Sequence, residues 1–199
     1  MIYFCQLLFL IVTYFIAAIP FGLILTKKYL GKDIRESGSG NIGATNVARI
    51  AGKKLGVLTL LLDAFKGMIM VIAARFFFYE SQFLHLFLVL VCAVAVLGHI
   101  YPIYLKFKGG KGVATTIAVL IALDPSVGFL MIIFWIMAFS MTRISAIASI
   151  ISVFSALLSS IHYEALTSQV YLCIFLLILI IMRHKENIMR ILLGQENKM

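Results

Sequence analysis

The sequence predicts an all-α fold, a polytopic membrane protein of seven transmembrane helices with its N-terminus outside and its C-terminus in the cytoplasm. Three observations carry that expectation. Of 199 residues, 63% are hydrophobic and 13% charged, against roughly 25% charged in an ordinary soluble domain. With a mean hydropathy of +1.09, a soluble protein of this size is excluded and lipid is the solvent for most of the chain. The apolar residues gather into runs bounded by charges and turn formers. The 17 Lys and Arg outnumber the 8 Asp and Glu, a formal +9, and they collect on one side of those runs.

The first run, 2–25, has no basic segment before it and exceeds the roughly 7 to 15 residues of a signal-peptide core, so it is a retained span. Runs at 55–79 and 83–105 follow. The fourth, 113–123, is short: at about 1.5 Å per residue it covers only about half of a hydrocarbon core of roughly 30 Å. It is either a helix of its own or the first half of one helix from Val113 to Met141, interrupted at Asp124-Pro125. The last runs are 126–141, 144–161 and 165–182.

Basic residues choose between the two. With seven spans, the inner segments hold seven (26–54), three (Lys106, Lys108, Lys111), one (Arg143) and four (Arg183, Lys185, Arg190, Lys198), fifteen of the 17. With six, the inner total is ten. The positive-inside rule favours seven, which makes Asp124-Pro125 a tight outer turn. Connections at 79–82, 124–125 and 162–164 leave no room for an outer domain, so residues 1–199 form a single integral-membrane domain. There is no internal repeat or low-complexity stretch. Cys5, Cys92 and Cys173 each lie alone in an apolar run, so neither a disulfide framework nor a metal site is expected.

Three polar segments on the inner side hold most of the residues able to do chemistry. The first runs from Ser37 through Gly38, Ser39, Gly40, Asn41, Gly43 and Asn46 to Arg49. It is either a Gly/Ser linker or an anion-binding lining of close-approaching amides, hydroxyls, carboxamides and one guanidinium. The lone Arg49, and the span that follows it within a few residues, argue for an ordered site. The second is Lys106-Phe107-Lys108-Gly109-Gly110-Lys111-Gly112 before an apolar helix, where backbone amides and a helix N-terminus beside lysines suit phosphate. It is not a Walker A loop, since Gly112 stands where Ser or Thr is needed and no strand precedes it. Lys106 and Lys108 also fit a role as snorkelling interfacial anchors. The third is Arg183 to Gly194, either an amphipathic surface tail or a site, because helical spacing puts His184, Asn187 and Ile191 on one face. Ser145, just past Arg143, either caps a helix or reaches into a site. Asp63 and Lys66, three apart within a span, are expected to pair with each other. His85, His99, His162 and His184 are followed at the fifth position by Leu90, Tyr104, Thr167 and Met189. The His-x4-Asp pair of many glycerolipid acyltransferases is therefore missing.

Together these segments resemble the bacterial membrane glycerol-3-phosphate acyltransferases of the acyl-phosphate-dependent (PlsY) type. Ile19-Pro20-Phe21-Gly22, Gly38 to Arg49, Leu62-Asp63 with Lys66-Gly67, Gly98-His99 to Thr115, Thr142-Arg143 with Ser145, and Arg183-His184 to Gly194 carry the resemblance, nearly the whole chain in order. Ile144 in place of an aromatic and Ala17-Ala18 in place of Gly-Ser depart from it, away from the polar residues. The resemblance implies acyl transfer from acyl phosphate to the 1-position hydroxyl of glycerol 3-phosphate, giving lysophosphatidic acid and phosphate. It implies catalytic roles for His184, Asn187, Ser39, Lys108 and Arg49. Substrate binding falls to Ser145, Asn41, Asn46, His99, Gly109, Gly110, Lys111 and Gly112. Neither metal nor cofactor is implied, and the chain is expected to be a monomer among membrane lipids of the bacterial inner membrane, with its site on the cytoplasmic side. Proton acceptance is open between His184, His99 and a phosphate oxygen of the substrate, and the absent His-Asp pair favours the substrate. A transporter or channel for a small phosphorylated solute is the alternative, but it calls for ionisable residues at mid-membrane, where only Asp63 and Lys66 lie. Nucleic acid is not an expected partner, since the short basic loops are explained by topology.

Overall fold

The computed structural model describes residues 1–163 and 168–198, and among them all regular structure is helical. Glu164, in the expected 162–164 connection, and the first three residues of the 165–182 run lie outside the described residues. The helices are α1 (Ile2–Ala17), α2 (Phe21–Leu30), α3 (Ala44–Ala51), α4 (Lys53–Phe77), α5 (Leu84–Ile100), α6 (Val113–Leu123), α7 (Pro125–Thr142), α8 (Ser145–Tyr163), α9 (Ser168–Arg183) and α10 (Lys185–Leu192). Among the described residues, five stretches are long and apolar enough to cross a membrane: Ile2–Leu30, Lys53–Phe77, Leu84–Leu105, Pro125–Thr142 and Ser145–His162. The apolar helices α6 and α9 are shorter.

The span expected over 2–25 lies within the candidate span Ile2–Leu30 and is built of two helices, α1 and α2. It breaks between Ala17 and Phe21, because Pro20 has no amide to donate and its ring clashes with the preceding turn. Short 3₁₀ turns, Ile34–Glu36 and Ile103–Leu105, precede the first and second polar segments' functional residues, and α3 lies inside the first.

Two compact units make up the chain, Met1–Val119 and Leu120–Met199. In the first, α1 packs on α5 and α4, α4 on α5, and α3 on both α4 and α2. Its core includes Val71, Val91, Cys92 and Val96, and a smaller cluster of Leu23, Ile34, Ile42 and Val47 lies beneath the first polar segment. Lipid-type exposure is plain on α4, where Leu61, Phe65 and Phe76 are exposed.

In the second unit α8 packs between α7 and α9, and α10 follows α9. Asp124 caps α7, its Oδ1 accepting from the Ser126 amide at 3.0 Å and the Val127 amide at 3.4 Å, with Pro125 at the first helical position. Proline is favoured there because its missing amide would have no partner in any case. The chain doubles back so tightly that a Cβ on Gly128 would lie 2.6 Å from Ile121 Cα. Asp124-Pro125 is therefore a true turn and not a break within one long helix. Asp124 Oδ2 also accepts from buried Gln169 at 3.0 Å, fastening the turn to α9.

Candidate functional site

The first polar segment is an ordered loop. Its organiser is Asn46 on α3, 2% exposed. Asn46 Oδ1 accepts from the Ser39 amide at 3.0 Å, and its Nδ2 donates to the carbonyls of Ser37 at 3.0 Å and Asn41 at 2.9 Å. A buried carboxamide with its oxygen and nitrogen both engaged specifies one loop conformation. Gly38 has φ +62° and faces the Asn46 carboxamide too closely for a Cβ, so glycine is required there by both conformation and space. Asn41 Oδ1 accepts from the Gly43 amide at 2.8 Å just before α3 begins. Ser39 and Arg49 remain exposed, where an anion can reach them.

The second segment follows α5. Lys106 and Phe107 both have positive φ, 51° and 62°, a costly left-handed pair for residues with side chains. Their strain turns the chain back on α5, and Lys108 stands exposed beyond it. The Gly109 amide donates to Ile100 O at 3.0 Å and the Gly110 amide to His99 O at 3.2 Å. These two amides are thus engaged within the protein, unlike the free amides expected from the sequence. Their glycines serve close packing. A Cβ on Gly109 would collide with the His99 carbonyl, and one on Gly110 with the His99 ring. At Gly112, φ is +87° and a Cβ would meet Ile100 Cδ1 at 2.7 Å. Lys111 is half-buried between these glycines, and α6 begins at Val113, whose first-turn amides point toward the loop side of the helix.

Behind the second segment lies a buried charge cluster. Lys66 Nζ is 2.8 Å from Asp63 Oδ1, the pairing expected from their spacing, and it donates to Ile19 O at 2.7 Å in the break before Pro20. His99 Nδ1 is 3.6 Å from the same carboxylate oxygen. The sequence shows no carboxylate partner for His99, because Asp63 is supplied by another helix 36 residues earlier.

In the second unit, Arg143 closes α7 with φ +60°, and Ser145 is the first residue of α8, half-buried, its carbonyl accepting from Ser149 Oγ at 2.7 Å. His184 does not continue a helix with Asn187. It is the hinge residue between α9 and α10, and both side chains are buried. Only the carbonyl of Ile180 can accept in the 2.8 Å contact with His184 Nδ1, so Nδ1 is the donor there. Asn187 Nδ2 donates to Glu196 Oε1 at 2.6 Å, and Arg190 Nε donates to Glu196 Oε2 at 2.7 Å. Gly194, at φ +69°, turns the tail back to make this possible. Glu196 is absent from the residues expected from sequence. An isolated acid in a polar tail carries no spacing signal.

These features match known proteins over almost the whole chain. The glycerol-3-phosphate acyltransferase family model matches residues 7–194. The chain belongs to the glycerol-3-phosphate acyltransferase family. A glycerol-3-phosphate acyltransferase of Ehrlichia canis (strain Jake) is 44% identical over 192 residues, 95% of this chain and 96% of that protein. That of Anaeromyxobacter sp. (strain Fw109-5) is 42% identical over 187 residues, 94% and 92% of the two chains. The crystal structure of PlsY (YgiH), an integral membrane glycerol 3-phosphate acyltransferase, in its glycerol 3-phosphate form superposes with a TM-score of 0.91 at 39% identity, covering 98% of this chain and 96% of that one. Its lysophosphatidic acid form gives 0.87 at 38% identity, covering 98% and 95%. The glycerol-3-phosphate acyltransferase match includes the Asn46 loop, the Gly109–Gly112 loop and the hinge at His184.

Proposed function

We propose that this protein transfers a fatty acyl group from acyl phosphate to the 1-position hydroxyl of glycerol 3-phosphate, giving lysophosphatidic acid and inorganic phosphate for phospholipid synthesis. The observation that carries this is the likeness, over 98% of the chain, to a structure in its glycerol 3-phosphate form. The protein acts as a single domain of seven spans in the bacterial inner membrane, N-terminus outside, its site on the cytoplasmic side; the one-sided basic residues support that orientation. It works as a monomer among membrane lipids.

In the reaction, the glycerol 3-phosphate hydroxyl oxygen bonds to the acyl carbon while the bond from that carbon to the phosphate oxygen breaks. Acyl phosphate is already activated, so the protein chiefly positions its substrates and stabilises negative charge. Arg49 and Lys108 supply cations for the phosphates, with Lys111 in support. Ser39, Asn41 and Asn46 shape one binding loop, and Gly109, Gly110 and Gly112 the other. Ser145, His184 and Asn187 contribute further polar contacts, and His99 supports the phosphate loop. The hydroxyl proton passes to a phosphate oxygen of the substrate. The absence of a His-x4-Asp pair from the sequence supports this route.

Purified protein in detergent, given acyl phosphate and labelled glycerol 3-phosphate, is expected to release labelled lysophosphatidic acid and an equal amount of phosphate. Failure to form it, with labelled solute instead accumulating inside proteoliposomes, would identify a transporter.

A further inference from the structure

We propose that Asp63, Lys66 and His99 are positioning residues that set the Gly109–Gly112 loop, so that one buried carboxylate determines how well the protein holds phosphate. This rests on the assignment of that loop to substrate phosphate.

Asp63 sits on α4, and both flanks of the loop are tied to it. On the leading side, His99 approaches the carboxylate with Nδ1 at 3.6 Å. The backbone of the same turn of α5 accepts both loop amides, Gly109 to Ile100 O and Gly110 to His99 O. The opposite edge of the ring, Nε2 with its neighbouring carbons, lies against Gly110 with no room for even a methyl group. On the trailing side, Thr115 Oγ1, in the first turn of α6, donates to the backbone carbonyl of Asp63 at 3.0 Å. Gly67, one turn after Asp63, lets α6 approach so closely that a Cβ there would be 2.7 Å from Thr115 Cγ2. Lys66 holds the carboxylate at 2.8 Å and anchors the cluster to Ile19 O, with the Phe21 ring 5.6 Å from its Nζ.

Asp63, Lys66 and His99 are 3%, 3% and 4% exposed. Three ionisable groups buried in the membrane-spanning part of a fold are costly unless each has a partner, and here each faces another. The imidazole is wedged between the Asp63 carboxylate and Gly110, and its far edge forms a wall for Gly110. A wall fixed on one carboxylate places the loop to a fraction of an ångström, the tolerance that binding and orientation of a phosphate require.

The decisive test is rescue. Gly110→Ala puts a methyl group against the His99 ring, and the KM for glycerol 3-phosphate should rise tenfold or more with a smaller change in kcat. Adding His99→Ala removes the clash together with the wall, so the double variant should recover at least threefold in KM relative to Gly110→Ala but stay above the wild-type KM, as should His99→Ala alone. Gly109→Ala, whose methyl group meets the His99 carbonyl, should gain nothing from His99→Ala. Hydrogen exchange supplies a readout independent of turnover: Asp63→Asn should speed exchange of the 109–116 amides and leave 126–140 unchanged. Lysophosphatidic acid formation without rescue, or unchanged exchange in Asp63→Asn, would overturn the positioning role. Absence of lysophosphatidic acid from the wild-type protein would overturn the proposed reaction instead, and exchange would still decide the positioning.

Discussion

Single side chains in this protein do their work by holding other groups in place. Glu196 engages Asn187 and Arg190 at once, so Glu196→Ala should lower kcat/KM at least tenfold by releasing Asn187. Glu196→Gln, which keeps one acceptor, should retain more activity; equal loss in both would argue for a charge requirement in place of a positional one. His184→Ala and His99→Ala should each leave measurable turnover if a substrate phosphate takes the proton. Complete loss with substrate binding intact, measured by calorimetry, would instead identify a histidine base. On the surface, Asp33 accepts from the Arg35 side chain at 2.6 Å and 2.9 Å. That hydrogen bond, reinforced by the Arg35 charge and by Lys27 at 3.5 Å, holds the Asp33 carboxyl well below the usual carboxylate range. Because the folded value is depressed, the interaction is complete above the unfolded value of about 3.9 and is lost only as pH falls through the lower folded value. Hydrogen exchange at 33–37 should therefore show the turn as ordered at pH 5 as at pH 7, while Asp33→Asn should loosen it at both.

At the scale of elements, glycines at helix crossings set the spacing. Gly56 on α4 lies against Ala48 on α3, where a Cβ would be 2.5 Å from Ala48 Cβ and 2.8 Å from its Cα. Gly56→Ala should cost about 1–3 kcal/mol through overpacking, read as a lowered Tm in detergent, and Ala48→Gly should restore part of it. Failure of that pair to compensate would mean the crossing is set elsewhere. The break between α1 and α2 follows the same logic. Pro20 interrupts the helix, and Lys66 then donates to the Ile19 carbonyl exposed there. Lys66→Met leaves Asp63 without its nearest cation, and breaking a buried pair in this way costs about 3–5 kcal/mol. A fall in Tm larger than that of Gly56→Ala is expected.

At the scale of the whole molecule, the proposed orientation makes a direct prediction. In a cysteine-free background, a single cysteine at Ser81 should react with an impermeant thiol reagent from outside intact cells. One at Glu36 or Lys198 should react only after the membrane is opened. Labelling of Glu36→Cys from outside would reverse the topology and place both basic loops on the wrong face for a cytoplasmic substrate.

Much of this was legible in the sequence because it depends on composition and on neighbours in the chain. Hydropathy marks the long apolar helices, the one-sided count of basic residues favours a turn at Asp124-Pro125, and Asp63 with Lys66 marks a pair through helical spacing. The glycine-rich segments are visible as motifs, but the reasons for their glycines are not. Gly110 is small because of a ring at His99, and Gly38 because of a carboxamide at Asn46, and neither contact follows from local periodicity. Glu196 reaches Asn187 only because the tail turns back at Gly194. What the sequence determined by itself was an all-helical chain suited to lipid, with phosphate-suited residues in three polar segments. Only the tertiary structure brought Asp63 to His99 and tied both to the glycine loop. The physical reason is that helix faces choose partners by packing complementarity over the whole bundle, whereas periodicity specifies only which face each helix must bury.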